Sequence, residues 1–430
     1  MNIVEAYSKK LQIAEKVYAK EHGGRAMSES KKIAIARVLA NTSEYLNEAF
    51  ENSVGTQLAN MKTFKKFCLD LTTVALPNLI ANDLVIVYPM KSRTGFIQYL
   101  QFTAGSNKGG VKQGDVFNDP FRLGQMTDER VNYTAAKVVE TIVEGQTKLA
   151  WAPVVAGSVE KFVEGVWTAV EGEYKPVAGD KVRYQYDNVV IPQNDIPQLT
   201  AVMNGTSLEA KARRIAVYYS QMAAFQAKTE MGIDLGEVLA TQACAELSYE
   251  IDTEVVKLLV DSAKVFDDLK FNKQLPLGVS KRDHYAGFAE VIELASQHIY
   301  DATQKHAANY MLIASNIKPM LVLMEGFKAA STAKINGPYY AGDLNGVKVY
   351  VSPAIKPGRY VLGYNGDDMV TSAAVYAPYM AIVPTQLLEF ADGSRSQGFS
   401  TMYDLKLLNP ALLVAGEVVD EPYAVKVDHE

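Results

Sequence analysis

The stretch "SLEAKARRIAVYYSQMAAFQAKTEMGIDLGEVLATQACAELSYEIDTEVVKLLVDSA", Ser207 to Ala263, changes pattern at Gly232. Beyond it, Leu235, Val238, Leu239, Leu247, Ile251, Val255 and Leu258 recur mostly at spacings of three, four or their multiples. That places one apolar stripe on a helix of about 25 residues. Asp234 stands where a cap belongs, and Lys257 lies near the negative end of the dipole. At about 1.5 Å per residue such a helix is roughly 40 Å long, well beyond the mean.

Working outward, residues 138–202 differ in texture. Runs such as "TKLAWAPVV" and "DKVRYQYDNVV" are rich in Val, Tyr and Trp with Gly and Pro between, which predicts a small all-β insertion. Before it, Phe96–Phe102 and Val131–Val143 alternate and read as the two arms of a long hairpin. Its tip would be the Gly-rich stretch "AGSNKGGVKQGDVFND", Ala104 to Asp119. Leu84–Tyr88 is strand-like and stopped by Pro89. Residues 1–60 read as helices broken at Gly23–Gly24. Ile33, Ile35, Val38, Leu39 and Leu46 mark a thin apolar face that must lean on the rest of the chain or on a neighbour. A further helix is expected over Asp283–Gln304, then alternating strands, turns and helices. The class is α+β.

With 430 residues, 48% apolar and 21% charged, the composition is that of a folded soluble chain. A net charge of −6 gives no support to a dedicated nucleic-acid binder. No apolar run reaches a membrane span, and "MNIVEAYSKK" lacks the parts of a signal peptide. Cys68 and Cys244 stand alone in distant segments, so no disulfide framework or zinc knuckle is expected. A reducing cytoplasm is the expected setting.

The Gly-rich tip raises the question of nucleotide binding, and its spacing answers no. A Walker loop needs Gly-Lys followed by Ser or Thr, but Gly110 is followed by Val111, with Lys112 one place late and Gln113 after it. The loop should also open a helix, yet Pro120 and turn formers follow. Glu246, Glu250 and Glu254 lie four apart, but without Glu-x-x-His pairs they read as a solvated acidic face. His284, His298 and His306 lack metal-ligand spacing and read as ordinary boundary histidines. No catalytic residue, metal or cofactor is expected.

Three collinear stretches carry a resemblance. "LPNLIANDLVIVYPMKSRTGFIQYLQF" (Leu76–Phe102) is similar to a segment of the major capsid proteins of contractile-tailed, T-even-like bacteriophages. So is the stretch from Leu208 to Leu259, with its "AKAR", its Glu-bearing linker and a long helix reaching "EIDTE". "ANYMLIASNI", "AGDLNGVKVYVSP", "VLGYNG" and "AAVYAPYMAIVP" continue the match. The first 60 residues and the stretch 138–202 show no clear match.

The resemblance implies a Hong Kong 97-type capsid fold. It would divide the chain into an N-terminal arm (1–66), the first part of a peripheral domain (67–90), an extended loop (91–137) and the β-rich insertion (138–202). The peripheral domain with its spine helix (203–304), an axial domain (305–380), and return strands with a C-terminal tail (381–430) would follow. It implies a shell protein of the virion, assembled in the host cytoplasm into hexamers and pentamers around double-stranded DNA. Portal, scaffold and decoration proteins are the partners that go with such a shell, and no membrane is involved. Phe102, Lys108, Gly109, Gly110, Lys112, Phe117 and Phe121 are then the expected intersubunit contacts of a tip that is mobile before assembly. The rivals are an encapsulin-type compartment of the same fold and, on the tip alone, a nucleotide-binding enzyme. Leu46-Asn47-Glu48 and Ile13-Ala14-Glu15 resemble sites cut by prohead proteases of related phages, but an uncleaved N-terminus is expected.

Overall fold

The computed structural model describes residues 3–22, 24–51, 58–108, 111–118, 133–170, 172–187, 197–330, 337–366, 371–385 and 387–421. Two compact units emerge, one of residues 1–97 and 207–430, the other of 98–206.

The chain begins with helices α1 (Ile3–Ala6), α2 (Ser8–Glu21), α3 (Glu29–Glu51), α4 (Leu58–Asn78) and α5 (Ala81–Leu84). Of the expected apolar face, Ile35, Val38, Leu39 and Leu46 are buried and Ile33 is exposed. Leu11, Ala14, Tyr18, Met27 and Ile35 join the main core of their own chain. Helices α2 and α3, within the expected arm (1–66), therefore pack on the core of their own chain.

Strand β1 (Ile86–Val87) follows, only two residues long because α5 takes Leu84. Strands β2 (Thr94–Ala104), β3 (Val116–Asn118), β4 (Lys137–Thr141), β5 (Glu160–Val163), β6 (Val166–Ala169), β7 (Lys181–Gln185), β8 (Leu199–Glu209) and β9 (Lys211–Ser220) come next. The expected hairpin is corrected here. β2 lies between β3 and β8, so its long partner is β8, which comes after the insertion. The stretch expected as the return arm instead supplies β4, which pairs antiparallel with β7 in a separate sheet ordered β4-β7-β5-β6. Alternation alone could not choose between two β-rich partners. Inside the insertion Val138, Ile142, Val159, Val182, Tyr184 and Tyr186 form its own core. Tyr184 reaches Glu140 Oε2 at 2.7 Å, satisfying a hydroxyl with no solvent contact.

Helix α6 (Gln221–Gln226) runs into a π turn (Ala227–Met231) closed by left-handed Gly232. The expected long helix is α7 (Leu235–Ser262), and Asp234 accepts from the Gly236 and Glu237 N–H groups at its start. Its buried stripe runs Ala240, Ala243, Cys244, Leu247, Ile251, Val255, Leu259. Val238 of the first turns is exposed, and Leu235, Leu239 and Leu258 are half-buried.

After β10 (Lys264–Asn272) come α8 (Lys281–Ala286), α9 (Phe288–Thr303), β11 (Tyr310–Ala314), α10 (Lys318–Leu323) and β12 (Phe327–Ala329). The rest is β13 (Tyr339–Leu344), β14 (Val347–Ser352), β15 (Arg359–Gly363), β16 (Ala374–Pro384), β17 (Leu388–Glu389), β18 (Ser394–Leu407) and β19 (Leu413–Val419). A seven-stranded sheet runs β10-β19-β15-β11-β14-β13-β12. The Phe288, Ile292, Ala295 and Ile299 side of α9 packs into the core with this sheet. In a second sheet, β18 carries β16 and β17 on one edge and β9 on the other, and β1 pairs parallel with β16. Ala240, Ala243, Cys244 and Leu247 of α7 pack on Ile382 and Phe399 of that sheet, while Leu46 and Cys68 pack on Met380 and Val383. The segment 305–380 does not form a sheet by itself, because β10 and β19 come from outside it and β16 belongs to the second sheet.

Candidate functional site

The loop tip is built within the 98–206 unit. Lys108 and Val111 bridge through both backbone N–H···O contacts, and Ala104 and Gly114 are tied to Asp115 and Ala104 in the same way. Strand β3 follows the loop directly, and among the described residues no helix opens from it. Ala104, Val111 and Tyr133 cluster, and Phe117 meets Tyr133 edge-on at 4.6 Å.

Lys108, one of the expected intersubunit contacts, is 3% exposed within its own chain. Its Nζ donates to Tyr133 O at 2.8 Å and Ala135 O at 2.6 Å, and lies 5.5 and 5.3 Å from the Trp151 and Tyr186 ring centres. Burial pushes its pKa down to about 8. The apolar stem packs while two carbonyls and two π faces hold the cation. Of the other expected contacts, Phe102 and Lys112 are exposed, Phe117 is half-buried, and Gly109, Gly110 and Phe121 lie outside the described residues.

The ribbon behind the tip has one polar and one apolar face. Asn204 Nδ2 donates to Gln101 Oε1 at 2.5 Å, which places odd residues of β2 with even residues of β8. The opposite face therefore carries Leu100, Phe102, Leu199 and Met203, between 37% and 63% exposed. In the larger unit, Tyr218, Met222, Phe225, Met231, Leu388 and Phe390 are between 48% and 71% exposed. Tyr218 and Leu388 lie opposite one another across Ser396, and Gln221 N–H reaches Gly393 O. Exposed apolar groupings of this kind are candidates for a binding surface. Periodicity could not find them, since it registers alternation and not which face stays uncovered.

The remaining candidates are structural. Glu254 accepts from Arg213 and from Tyr403 Oη, while Glu246 and Glu250 are exposed. His284 Nε2 meets Asn272 O at 2.8 Å and His298 meets Asp268 at 2.6 Å. Among the described residues no group of three or more His, Cys, Asp or Glu could hold a metal ion, and no helix is long and apolar enough to cross a membrane.

Residues 61–425 match the family model described as "Major capsid protein Gp23". The chain belongs to this family. As a phage major capsid protein it is a component of the virion capsid and assembles into a shell. Membership carries the Hong Kong 97-type fold expected from the sequence, in the α+β class. The major capsid protein of Enterobacteria phage T4 is 24% identical over 409 residues, covering 78% of this chain and 73% of that protein. Those of Enterobacteria phage T6 and Vibrio phage KVP40 are 23% and 21% identical, each over 78% of this chain and covering 76% and 74% of their own. Among solved structures, a chain from the capsid of Myoviridae phage XM1 aligns at 7% identity and TM-score 0.41, covering 78% of this chain and 90% of that one. A chain of Mycobacterium phage Cain aligns at 10% and 0.40, covering 79% and 89%.

Proposed function

We infer that this capsid protein closes into hexamers and pentamers through heterologous contacts and tiles them into an icosahedral shell around double-stranded DNA. The observation that carries this is the family match over residues 61–425. The exposed apolar groupings on the β2–β8 ribbon and around α6 support it, because a shell subunit needs faces that only other copies cover. Leu100, Phe102 and Lys112 lie over a neighbouring subunit in this reading, and Lys108 and Phe117 shape the tip from within. The peripheral domain comprises the second sheet with α7, and the axial domain the seven-stranded sheet with α9. The protein acts by binding copies of itself and catalyses nothing. Assembly takes place in the host cytoplasm, with portal, scaffold and decoration proteins as further partners.

Negative-stain microscopy of the purified chain and of its source particle tests this. Shells with hexameric and pentameric capsomers are expected. A monodisperse monomer under all assembly conditions, together with saturable nucleotide binding, would sink it.

A further inference from the structure

Asp83 of α5 is almost fully buried and accepts four side-chain hydrogen bonds. Tyr18 Oη lies at 2.5 Å, His22 Nδ1 at 2.7 Å, Lys31 Nζ at 2.7 Å and Tyr350 Oη at 2.9 Å. His22 is 2% exposed and stacks on Tyr18 at 4.2 Å. Its second ring nitrogen, Nε2, faces Pro77 O at 3.0 Å. A carboxylate and a carbonyl only accept, and a neutral imidazole carries one N–H. Both contacts are hydrogen bonds only when the ring carries two protons.

These groups come from three places in the fold. Tyr18 and His22 lie on or just past α2, and Lys31 on α3. Asp83 and Pro77 belong to α5 and α4, and Tyr350 to β14 of the seven-stranded sheet. We propose that this cluster is a proton-set clamp, closed by doubly protonated His22 on ionised Asp83, that fastens α2 and α3 to the body of the subunit.

The surrounding charges fit that role. Burial alone would raise the Asp83 pKa, but His22 and Lys31 outweigh it and hold the group well below the usual carboxylate range. Arg25 is engaged next door, donating to Asp343 at 2.7 Å and Tyr340 Oη at 2.8 Å. Lys348 of β14 and Asp252 of α7 are the other titratable groups that face the cluster. Burial lowers the first, and it raises the second to about 7. Loss of one His22 proton leaves a buried acceptor facing a ring nitrogen with nothing to donate, so the clamp loosens as pH rises.

Hydrogen–deuterium exchange on the full chain, corrected for intrinsic rates at each pH, tests this from about pH 6 to about pH 9. Protection of α2 is expected to fall by about tenfold or more across that span. H22Q, which donates without titrating, should flatten most of the change, and any slope left in it belongs to Lys348 and Asp252. D83N should expose α2 by about tenfold or more at every pH. Should D83N fail to fold, the wild-type series and H22Q still decide. Protection of α2 that ignores pH in the wild type, or the same slope in H22Q, overturns the proposal. The measurement is made on unassembled chain, so a failure to form shells counts against the function and leaves the clamp tested.

Discussion

Asp252, midway along α7, accepts the backbone N–H of Ala81, the first residue of α5, at 3.0 Å. One helix thus caps another with a carboxylate that is 8% exposed. Burial raises its pKa to about 7, and the backbone N–H groups of Ala81 and Ile80 only partly offset this. The folded state therefore holds a proton that the unfolded chain has released. Stability should fall as pH rises from about 4 to about 7, by up to a few kcal/mol at this site. Urea titrations of the wild type and D252N across that range should show the slope shrinking in the variant.

Lys108 gives a prediction of the opposite sign. Its pKa is lowered by burial to about 8, so between about pH 8 and about pH 10 the unfolded chain binds more protons than the folded one. The 98–206 unit should gain stability over that window. K108M removes both donors to Tyr133 and Ala135 and should cost about 1–3 kcal/mol, while K112A should stay within about 0.5 kcal/mol. Thermal melts of the two variants side by side would settle which lysine shapes the tip.

Gly416 of β19 sits beneath the Tyr360 ring, and a Cβ there would overlap its hydroxyl and come within 2.6 Å of Leu269 O. Tyr360 Oη donates to that same carbonyl at 2.8 Å. G416A must displace a buried tyrosine that has nowhere to turn. We expect about 3 kcal/mol or more of destabilisation, seen as a drop in Tm and in soluble yield. A silent substitution would mean that β19 packs differently.

Residues 3–51 should be present in subunits recovered from shells. Leu46 is 3% exposed within α3 and Ala14 is fully buried within α2, so both short protease-like patterns lie in packed helix. A protease needs its substrate extended, which here means unfolding a helix that carries part of the core. Intact mass of shell subunits is the check. Loss of about 48 residues from the N-terminus would refute it.

The sequence made α7 readable because helical periodicity and an Asp cap are local signals; the cap and Leu247, Ile251 and Val255 fall where expected, while the first turns bury Ala240 and Ala243 instead of Val238. The β-rich insertion was legible for the same reason. Strand partnership was not. Phe96–Phe102 alternates as well with β8 as with the stretch around Val138, and only the packing of Val138, Val182 and Tyr184 into their own core decides between them. The own-chain partners of Lys108 were not legible, because Tyr133, Trp151 and Tyr186 lie 25 or more residues away. Asp83 was hidden likewise: "LIAND" betrays nothing of a histidine 61 positions earlier.

One feature of the seven-stranded sheet bears on timing. β19 lies between β10 and β15, parallel to the first and antiparallel to the second, and among the described residues β10 pairs with no other strand. While the ribosome is still making residues 413–419, β10 has no partner and the sheet stops at β15. The strand made first therefore waits for residues 413–419 before it can join the sheet.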